Sequence, residues 1–100
     1  MTIITMPAAA KKEPRFVTRA FEIPELAYWL NTYCVDNDAP AADLELDMIV
    51  AEAEYVLGLF FERGTHSYNM LHGAEGKGEQ AYARDNVKAI RSFIREYKGA

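Results

Sequence analysis

One apolar stripe between residues 46 and 60 constrains the fold of this chain more than any other feature. Its side chains recur three or four residues apart, which places them on one face of an α-helix. The stripe consists of Leu46, Ile49, Val50, Ala53, Val56, Leu57 and Phe60. Asp38 is suited to cap this helix, and Pro40 is suited to its first turn. The pattern predicts a central helix that must bury this face against other elements.

Two further helices are predicted on either side of the central one. Pro24 suits a first helical turn, and apolar residues then recur at helical spacing to about residue 35. After the glycine-rich stretch 73–78, the spacing predicts a last helix from Glu79 to about Tyr97. No pair of strands is indicated. The predicted fold class is therefore all-α, a small helical bundle with a long central helix and an antiparallel C-terminal helix.

The N-terminal residues lack the pattern of a folded element. Residues 1–14 contain two prolines, three consecutive alanines and two lysines, and we expect a flexible arm there, followed by a single helical domain over residues 15–100. The segment 15–23 is compatible with one or two helical turns, but we favour an extended conformation. Because the chain shows neither a secretory signal pattern nor an apolar run long enough to span a bilayer, we expect a cytoplasmic protein.

Gly64 leaves two predictions open for the end of the central helix. Gly64, Tyr68 and Leu71 keep the phase of the apolar stripe, which favours one continuous helix to about His72. The glycine would then permit the close approach of another helix. Alternatively, the helix ends at Gly64 and one short extra helix follows. In both cases, only residues 73–78 are expected to form a true turn.

The central helix carries a second apolar face opposite the first. A helix at the edge of a three-helix domain needs only one buried face, so the second one must be covered. Either the first and third helices cover one face each, or this face forms a homodimer or binds another protein. The residues predicted for such a dimer or partner interface are Met48, Ala51, Tyr55, Leu59, Glu62 and His66.

Charged residues are segregated along the chain, whose net charge is −4. Ten acidic side chains and no lysine or arginine lie between Glu22 and Glu62, whereas residues 77–98 carry six basic side chains against three acidic ones. On the central helix the acids lie on the flanks, and on the last helix the basic residues share one narrow face. The predicted charged contact surface contains Asp43, Asp47, Glu52, Glu54, Arg84, Lys88, Arg91 and Arg95.

The basic stripe of the last helix admits three interpretations. We favour contact with the acidic flank of the central helix, in the same subunit or a neighbouring one, where exposed ion pairs contribute roughly 0.2–1 kcal/mol each. An acidic protein partner and the phosphate backbone of nucleic acid are the alternatives. The acidic overall charge and the lack of an aromatic residue on that face make direct nucleic-acid binding the least favoured of the three.

No residue pattern indicates a reaction, a cofactor or a metal. His66 and His72 lie six positions apart, unlike the i, i+4 pair of a helical zinc site, and GAEGKGE lacks the spacing of a phosphate-binding loop. Glu22 and Glu25 form an ExxE that has no counterpart on the long helices, so a magnesium-dependent phosphohydrolase is not favoured. Cys34 is the only cysteine and is expected to be a small core residue. We therefore predict a non-catalytic protein without a cofactor.

The run EAEYVLGLFFERGTHSYNM, followed by a glycine loop and a basic helix, resembles the QslA-type anti-activators of quorum sensing. The resemblance is one of layout, covers about residues 24–98 and transfers no binding residue. It implies a helical homodimer that binds a LuxR-type transcription regulator and prevents that regulator from dimerising on DNA. Two alternatives remain: a phage-encoded inhibitor of the anti-CRISPR type with an acidic contact surface, and a nucleic-acid-binding protein that uses the basic stripe.

Overall fold

A computed structural model describes residues 16–99 of the chain. Within this range no strand is present, which confirms the predicted all-α class. The elements are α1, whose described part is 16–22, α2 (Pro24–Asp36), a 3-10 turn (Ala41–Asp43), α3 (Leu46–Leu59), α4 (His66–Leu71) and α5 (Lys77–Gly99). The predicted flexible arm, residues 1–14, lies outside the described residues.

The segment 16–22 is helical, so the extended conformation favoured from the sequence is wrong. Phe16 and Ala20 lie one turn apart and are both buried. The Phe16 ring packs edge-on against Phe93 of α5, with 5.8 Å between the ring centroids. Ile23 then takes an extended conformation and separates α1 from α2. Contact with a distant helix therefore stabilises a segment whose own sequence pattern is ambiguous.

The central helix α3 begins later than predicted. Asp38 does not cap it, because this residue takes a positive φ of 50° in the loop after α2. Pro40 precedes the 3-10 turn instead of lying in the first turn of α3. The extended backbone of Glu45, with φ of −81° and ψ of 148°, leads into α3. The apolar stripe itself is placed correctly, since its members Ile49 and Val56 are fully buried.

The central helix does not continue to His72. Gly64 has a φ of 99°, a left-handed conformation incompatible with a continuous α-helix. A β-carbon at this position would meet no atom within 4 Å, so the predicted close approach of another helix at the glycine is also wrong. The alternative with a short extra helix is confirmed, because α4 follows as a separate helix, although α3 already ends at Leu59.

The longest described helix is α5 with 23 residues, compared with 14 in α3, so the prediction of a long central helix is wrong. The turn before α5 is also shorter than the predicted 73–78. Gly73 and Gly76 supply its positive φ values of 87° and 101°, and Lys77 already begins the helix. The first turn of α5 therefore contains Lys77 and Gly78, which the sequence analysis placed in the turn.

The core lies where α1, α2 and α4 pack with α3 and α5. Its largest fully buried side chains are Leu26, Leu30, Ile49, Val56, Phe60, Ile90 and Phe93. Tyr97 near the end of α5 donates a hydrogen bond to Asp47 near the start of α3, while Arg91, earlier in α5, lies over Phe61 just beyond the end of α3. The two helices are therefore antiparallel, as predicted.

A polar contact inside the core joins α2 to α5. Asn86 is 3% exposed, and its Oδ1 accepts a hydrogen bond of 3.0 Å from the backbone N–H of Glu25. The position before α2 is Ile23, which has no capping side chain, so α5 supplies the missing acceptor. The Asn86 amide donates to the carbonyl of Tyr82 at 2.8 Å, and the Tyr82 hydroxyl donates to the Glu25 carboxylate at 2.7 Å. Burial, together with this bond to Glu25, raises the pKa of Tyr82.

Candidate protein-binding surfaces

The predicted second face of α3 is only partly exposed. Ala51 and Tyr55 are exposed, Met48 is half-buried, and Leu59 is buried at 9% exposure. Leu59 therefore belongs largely to the interior, contrary to the prediction that it offers a free interface. The remaining two predicted residues lie beyond α3, with Glu62 in the following loop and His66 at the start of α4, and both are exposed.

Three aromatic side chains from two helices form a continuous cluster, in which two exposed tyrosines flank the half-buried Trp29. Tyr28 and Tyr55 are 61% and 52% exposed. Trp29 contacts both edge-on, with ring centroids 5.5 Å from Tyr28 and 5.7 Å from Tyr55. We call Tyr28, Trp29 and Tyr55 the aromatic surface. α2 thus extends the exposed part of α3 with two aromatic residues that had not been assigned to an interface.

A cavity of about 460 Å³ opens beside the aromatic surface. Its walls come from α2, the end of α3 and the start of α4, and they are formed by Glu25, Tyr28, Trp29, Leu59, Thr65, His66 and Ser67. Apolar side chains make up much of the lining, and Glu25 and His66 add a carboxylate and an imidazole. A cavity with this lining can accept an apolar side chain and orient neighbouring polar groups.

Thr65 determines where the α4 wall of this cavity stands. As the residue before α4, it accepts a hydrogen bond of 3.0 Å from the backbone N–H of Tyr68, and its hydroxyl lies 3.0 Å from the Glu62 carbonyl. This capping geometry places the next residue, His66, at the cavity. The His66 Nδ1 lies 3.9 Å from the Glu75 carboxylate, and its side chain is 70% exposed.

Most of the basic stripe of α5 forms no ion pair with the acidic flank of α3 in the same chain. Within residues 16–99, four of its members form no salt bridge with a carboxylate: Arg84, Lys88, Arg91 and Arg95. They line a groove of about 420 Å³ together with the apolar residues Phe61, Leu71 and Val87. We call these seven residues the basic groove. The fifth member of the predicted stripe, Lys98, does make the predicted contact within one chain, since its ammonium lies 2.8 Å from the Glu54 carboxylate.

An aromatic residue does accompany the basic stripe, contrary to the sequence analysis. Phe61 is 50% exposed, and the Arg91 guanidinium carbon lies 5.1 Å from the centroid of its ring. Arg95 donates a hydrogen bond of 3.3 Å to the Ser92 hydroxyl. Arg91 and Arg95 are thus positioned by an aromatic ring and a hydroxyl group, and none of the four cations forms a salt bridge within residues 16–99.

The predicted acidic residues divide into engaged and unengaged groups. Asp47 accepts the hydrogen bond from Tyr97, and this bond, with some burial, raises the pKa of the Tyr97 hydroxyl. Glu54 pairs with Lys98, whereas Asp43 lies exposed in the 3-10 turn. Glu52 is half-buried, and burial raises the pKa of its carboxyl group. Two of the four predicted acids therefore contribute to internal packing.

The two histidines and the cysteine do not converge on one site. His72 stacks on Tyr68, with 3.9 Å between the ring centroids, and points away from the pairing of His66 with Glu75. Cys34 is half-buried in α2 and is not the core residue predicted. No cluster of three or more potential metal ligands exists in the part of the chain that the structure describes.

The helices of residues 16–99 include none that combines the length and the apolar character needed to cross a bilayer. No protein family, curated protein or solved structure matches this chain. The described fold and its surfaces define the molecule as a small all-α protein with an aromatic surface on one part and a basic groove on another.

The sequence analysis missed Tyr28 and Phe61, although each stands beside another aromatic residue. Successive residues on a helix point about 100° apart, so Tyr28 and Trp29 of α2 differ in how far they face the core, and Phe60 and Phe61 differ likewise in the turn after α3. Phe60 is fully buried and Phe61 is half exposed, and Tyr28 is correspondingly more exposed than its neighbour Trp29. The dipeptides YW and FF were therefore the available signals for both surfaces.

Proposed function

We propose that this chain is a non-catalytic protein that binds another protein through its aromatic surface and the cavity beside it. The observation that carries the proposal is the contact of two tyrosines, 61% and 52% exposed, with the tryptophan between them at the edge of a 460 Å³ cavity. Single exposed apolar residues are ordinary, but clustered tyrosine and tryptophan side chains are enriched at the energetic centres of protein interfaces.

The cavity supports a specific mode of contact. A partner would insert an aliphatic or aromatic side chain beside Leu59 and place polar groups near Glu25 and His66. Tyr28 and Trp29, which line the cavity, would then cover the inserted side chain, while Tyr55 would contact the partner beside it and help to exclude water. Tyrosine suits this role because it brings a large apolar ring at low conformational cost and a hydroxyl that remains hydrated or hydrogen-bonded.

For the partner, we propose a transcription regulator of the LuxR type, which the chain would keep from dimerising on DNA. This step is supported by the resemblance in layout to QslA-type anti-activators. A regulator's dimerisation surface is apolar at its centre, which is the chemistry that the aromatic surface complements. We further propose that the chain is a homodimer through the exposed Ala51 and the half-buried Met48 of α3.

Other functions receive less support. An inhibitor that mimics nucleic acid needs its acidic groups free, but Asp47 and Glu54 are occupied by Tyr97 and Lys98. Direct binding of nucleic acid would use the basic groove, and a labelled oligonucleotide tests that function.

The double variant Tyr28→Ala, Tyr55→Ala tests the proposal. We expect it to weaken binding to the purified LuxR-type regulators of the source cell by at least about 30-fold, the size of an interface hot spot. Isothermal titration calorimetry measures this affinity. Val35→Ala is the matched control because Val35 is an exposed apolar residue of the same helix, 80% exposed and outside the aromatic surface.

Two results would contradict the proposal. One is unchanged affinity of the double variant with an unchanged circular dichroism spectrum. The other is that no regulator binds the wild-type chain, or that light scattering shows every regulator still dimeric after the chain is added. The same light-scattering experiment on the chain alone measures its mass, and a monomeric mass at working concentration would eliminate the homodimer.

A further inference from the structure

The basic groove lies apart from the aromatic surface and shares no residue with it. We propose that it binds an acidic amphipathic helix of a partner protein. The four cations follow one another along α5 at intervals of four, three and four residues, from position 84 to position 95. At about 1.5 Å per residue the row is roughly 16 Å long, which corresponds to three turns of a helix lying alongside.

The charge of the groove selects an acidic occupant. Its four cations form no salt bridge within residues 16–99, although the whole chain carries a net charge of −4. Acidic groups spaced three and four residues apart on a partner helix would meet this row in register. Electrostatic complementarity of this kind accelerates association and determines the orientation of the two helices.

The apolar lining of the groove favours a helix over nucleic acid. The half-buried Leu71 and the exposed part of Phe61 offer apolar surface that an amphipathic helix can bury but that a phosphate backbone cannot use, whereas Val87 is only 7% exposed. Phe61 has an exposed ring of the kind that stacks bases, but the Arg91 guanidinium already lies over it. In addition, a long polyanion would extend beyond the groove towards a predominantly acidic chain, whereas a short helix would end with the row.

A designed peptide tests the proposal without knowledge of the natural partner. The probe is a fluorescein-labelled helical peptide of about 18 residues with glutamates on one face and leucines beside them, repeated at helical spacing. We expect saturable binding by fluorescence anisotropy, weakened by salt. A second probe in which every glutamate is replaced by glutamine should bind at least about 10-fold more weakly, because the charge pairing is lost.

Charge reversal in the protein locates the site. Arg91→Glu, Arg95→Glu should weaken binding of the acidic peptide by at least about 10-fold. The matched control is Arg63→Glu, Lys77→Glu, which changes the net charge equally at two exposed residues outside the groove and should change the affinity by less than about twofold. The neutral pair Arg84→Gln, Lys88→Gln provides a second test, needed if the reversed variant does not fold.

Three outcomes would overturn the proposal. Equal losses in the groove variants and the control would mean that only net charge attracts the peptide. Equal binding of the glutamate and glutamine probes would mean that charge is irrelevant. Tighter binding of a labelled single-stranded oligonucleotide than of the acidic peptide, lost in the groove variants, would assign the groove to nucleic acid. The Tyr28→Ala, Tyr55→Ala variant should bind the peptide normally, so this test is independent of the function proposed for the aromatic surface.

Discussion

At the scale of single residues, Glu52 shows how partial burial acts on a charged side chain. The residue lies on α3, and burial raises the pKa of its carboxyl group. A raised pKa in the folded state means that folding favours the protonated form. The favourable contribution is therefore fully present below the pKa of the unfolded chain, about 4.3, and it is lost as the pH rises through the folded-state pKa.

We expect Glu52→Gln to increase the free energy of unfolding at pH 7, because it removes a charge that the folded state disfavours. The difference from wild type should shrink as the pH falls towards about 4, where the glutamate itself becomes neutral. Urea denaturation across this range measures the difference. Glu45→Gln, at an exposed acid just before α3, serves as the control. A difference that does not depend on pH would show that the carboxyl charge is not responsible.

At the scale of elements, the connection between α3 and α4 depends on backbone conformation. Gly64 has a φ of 99°, which side-chain-bearing residues adopt only at a cost. Gly58 lies within α3 and has open space where a β-carbon would stand. Replacing the two glycines should therefore have opposite effects on stability, although a β-carbon at either position would meet no atom within 4 Å.

The pair of substitutions Gly64→Ala and Gly58→Ala separates these effects. We expect Gly64→Ala to lower the free energy of unfolding by about 1–2 kcal/mol, because alanine is strained in the left-handed region. Gly58→Ala should raise it by up to about 1 kcal/mol, because alanine favours the helix. Both values come from urea denaturation. Stabilisation by Gly64→Ala would mean that the helix can continue through this position after all.

The helices also show how far local pattern determines an element. The apolar stripe predicted α3 correctly at Ile49 and Val56, because the spacing of apolar residues is a local property and these residues are the ones buried. It could not locate the end of the helix, since Tyr68 and Leu71 keep the same phase after the break. Phase records only the spacing of apolar residues, whereas the conformation of Gly64 decides whether the backbone between them is helical.

At the scale of the whole molecule, Asn86 connects parts of the chain that lie 61 positions apart. It caps α2 from the middle of α5 and is almost completely buried. Removing its side chain leaves the N–H of Glu25 without its acceptor and breaks the link to Tyr82. Losses of this kind cost about 1–3 kcal/mol.

Asn86→Ala should therefore lower the midpoint of urea denaturation, and the loss should be largest for α2, which Asn86 caps. The single tryptophan, Trp29, reports on α2, while circular dichroism reports on all helices. We expect the two signals to coincide in the wild type and the Trp29 signal to change first in the variant. Asn31→Ala, at an exposed position of α2, is the control. An unchanged midpoint would show that Asn86 does not hold α2 in place.

The candidate surfaces depend on the whole molecule in the same way. Tyr55 and His66 were predicted as interface residues, and both lie at the aromatic surface or its cavity. Trp29 joins them from α2, and Phe61 reaches the basic groove from beyond α3. Which aromatic side chains remain exposed depends on where neighbouring helices pack. The spacing of residues along the sequence does not show this.

The sequence by itself determined the all-α class and the buried face of α3, because both follow from residue spacing within one helix. Tertiary structure alone decided the helical state of 16–22, the capping of α2 by Asn86 and which cation of the basic stripe pairs with the acidic flank of α3. Each of these depends on contacts between residues far apart in the chain. Such contacts form only when the helices are packed, because the free energy of each contact depends on how deeply its residues are buried and on where their partners lie.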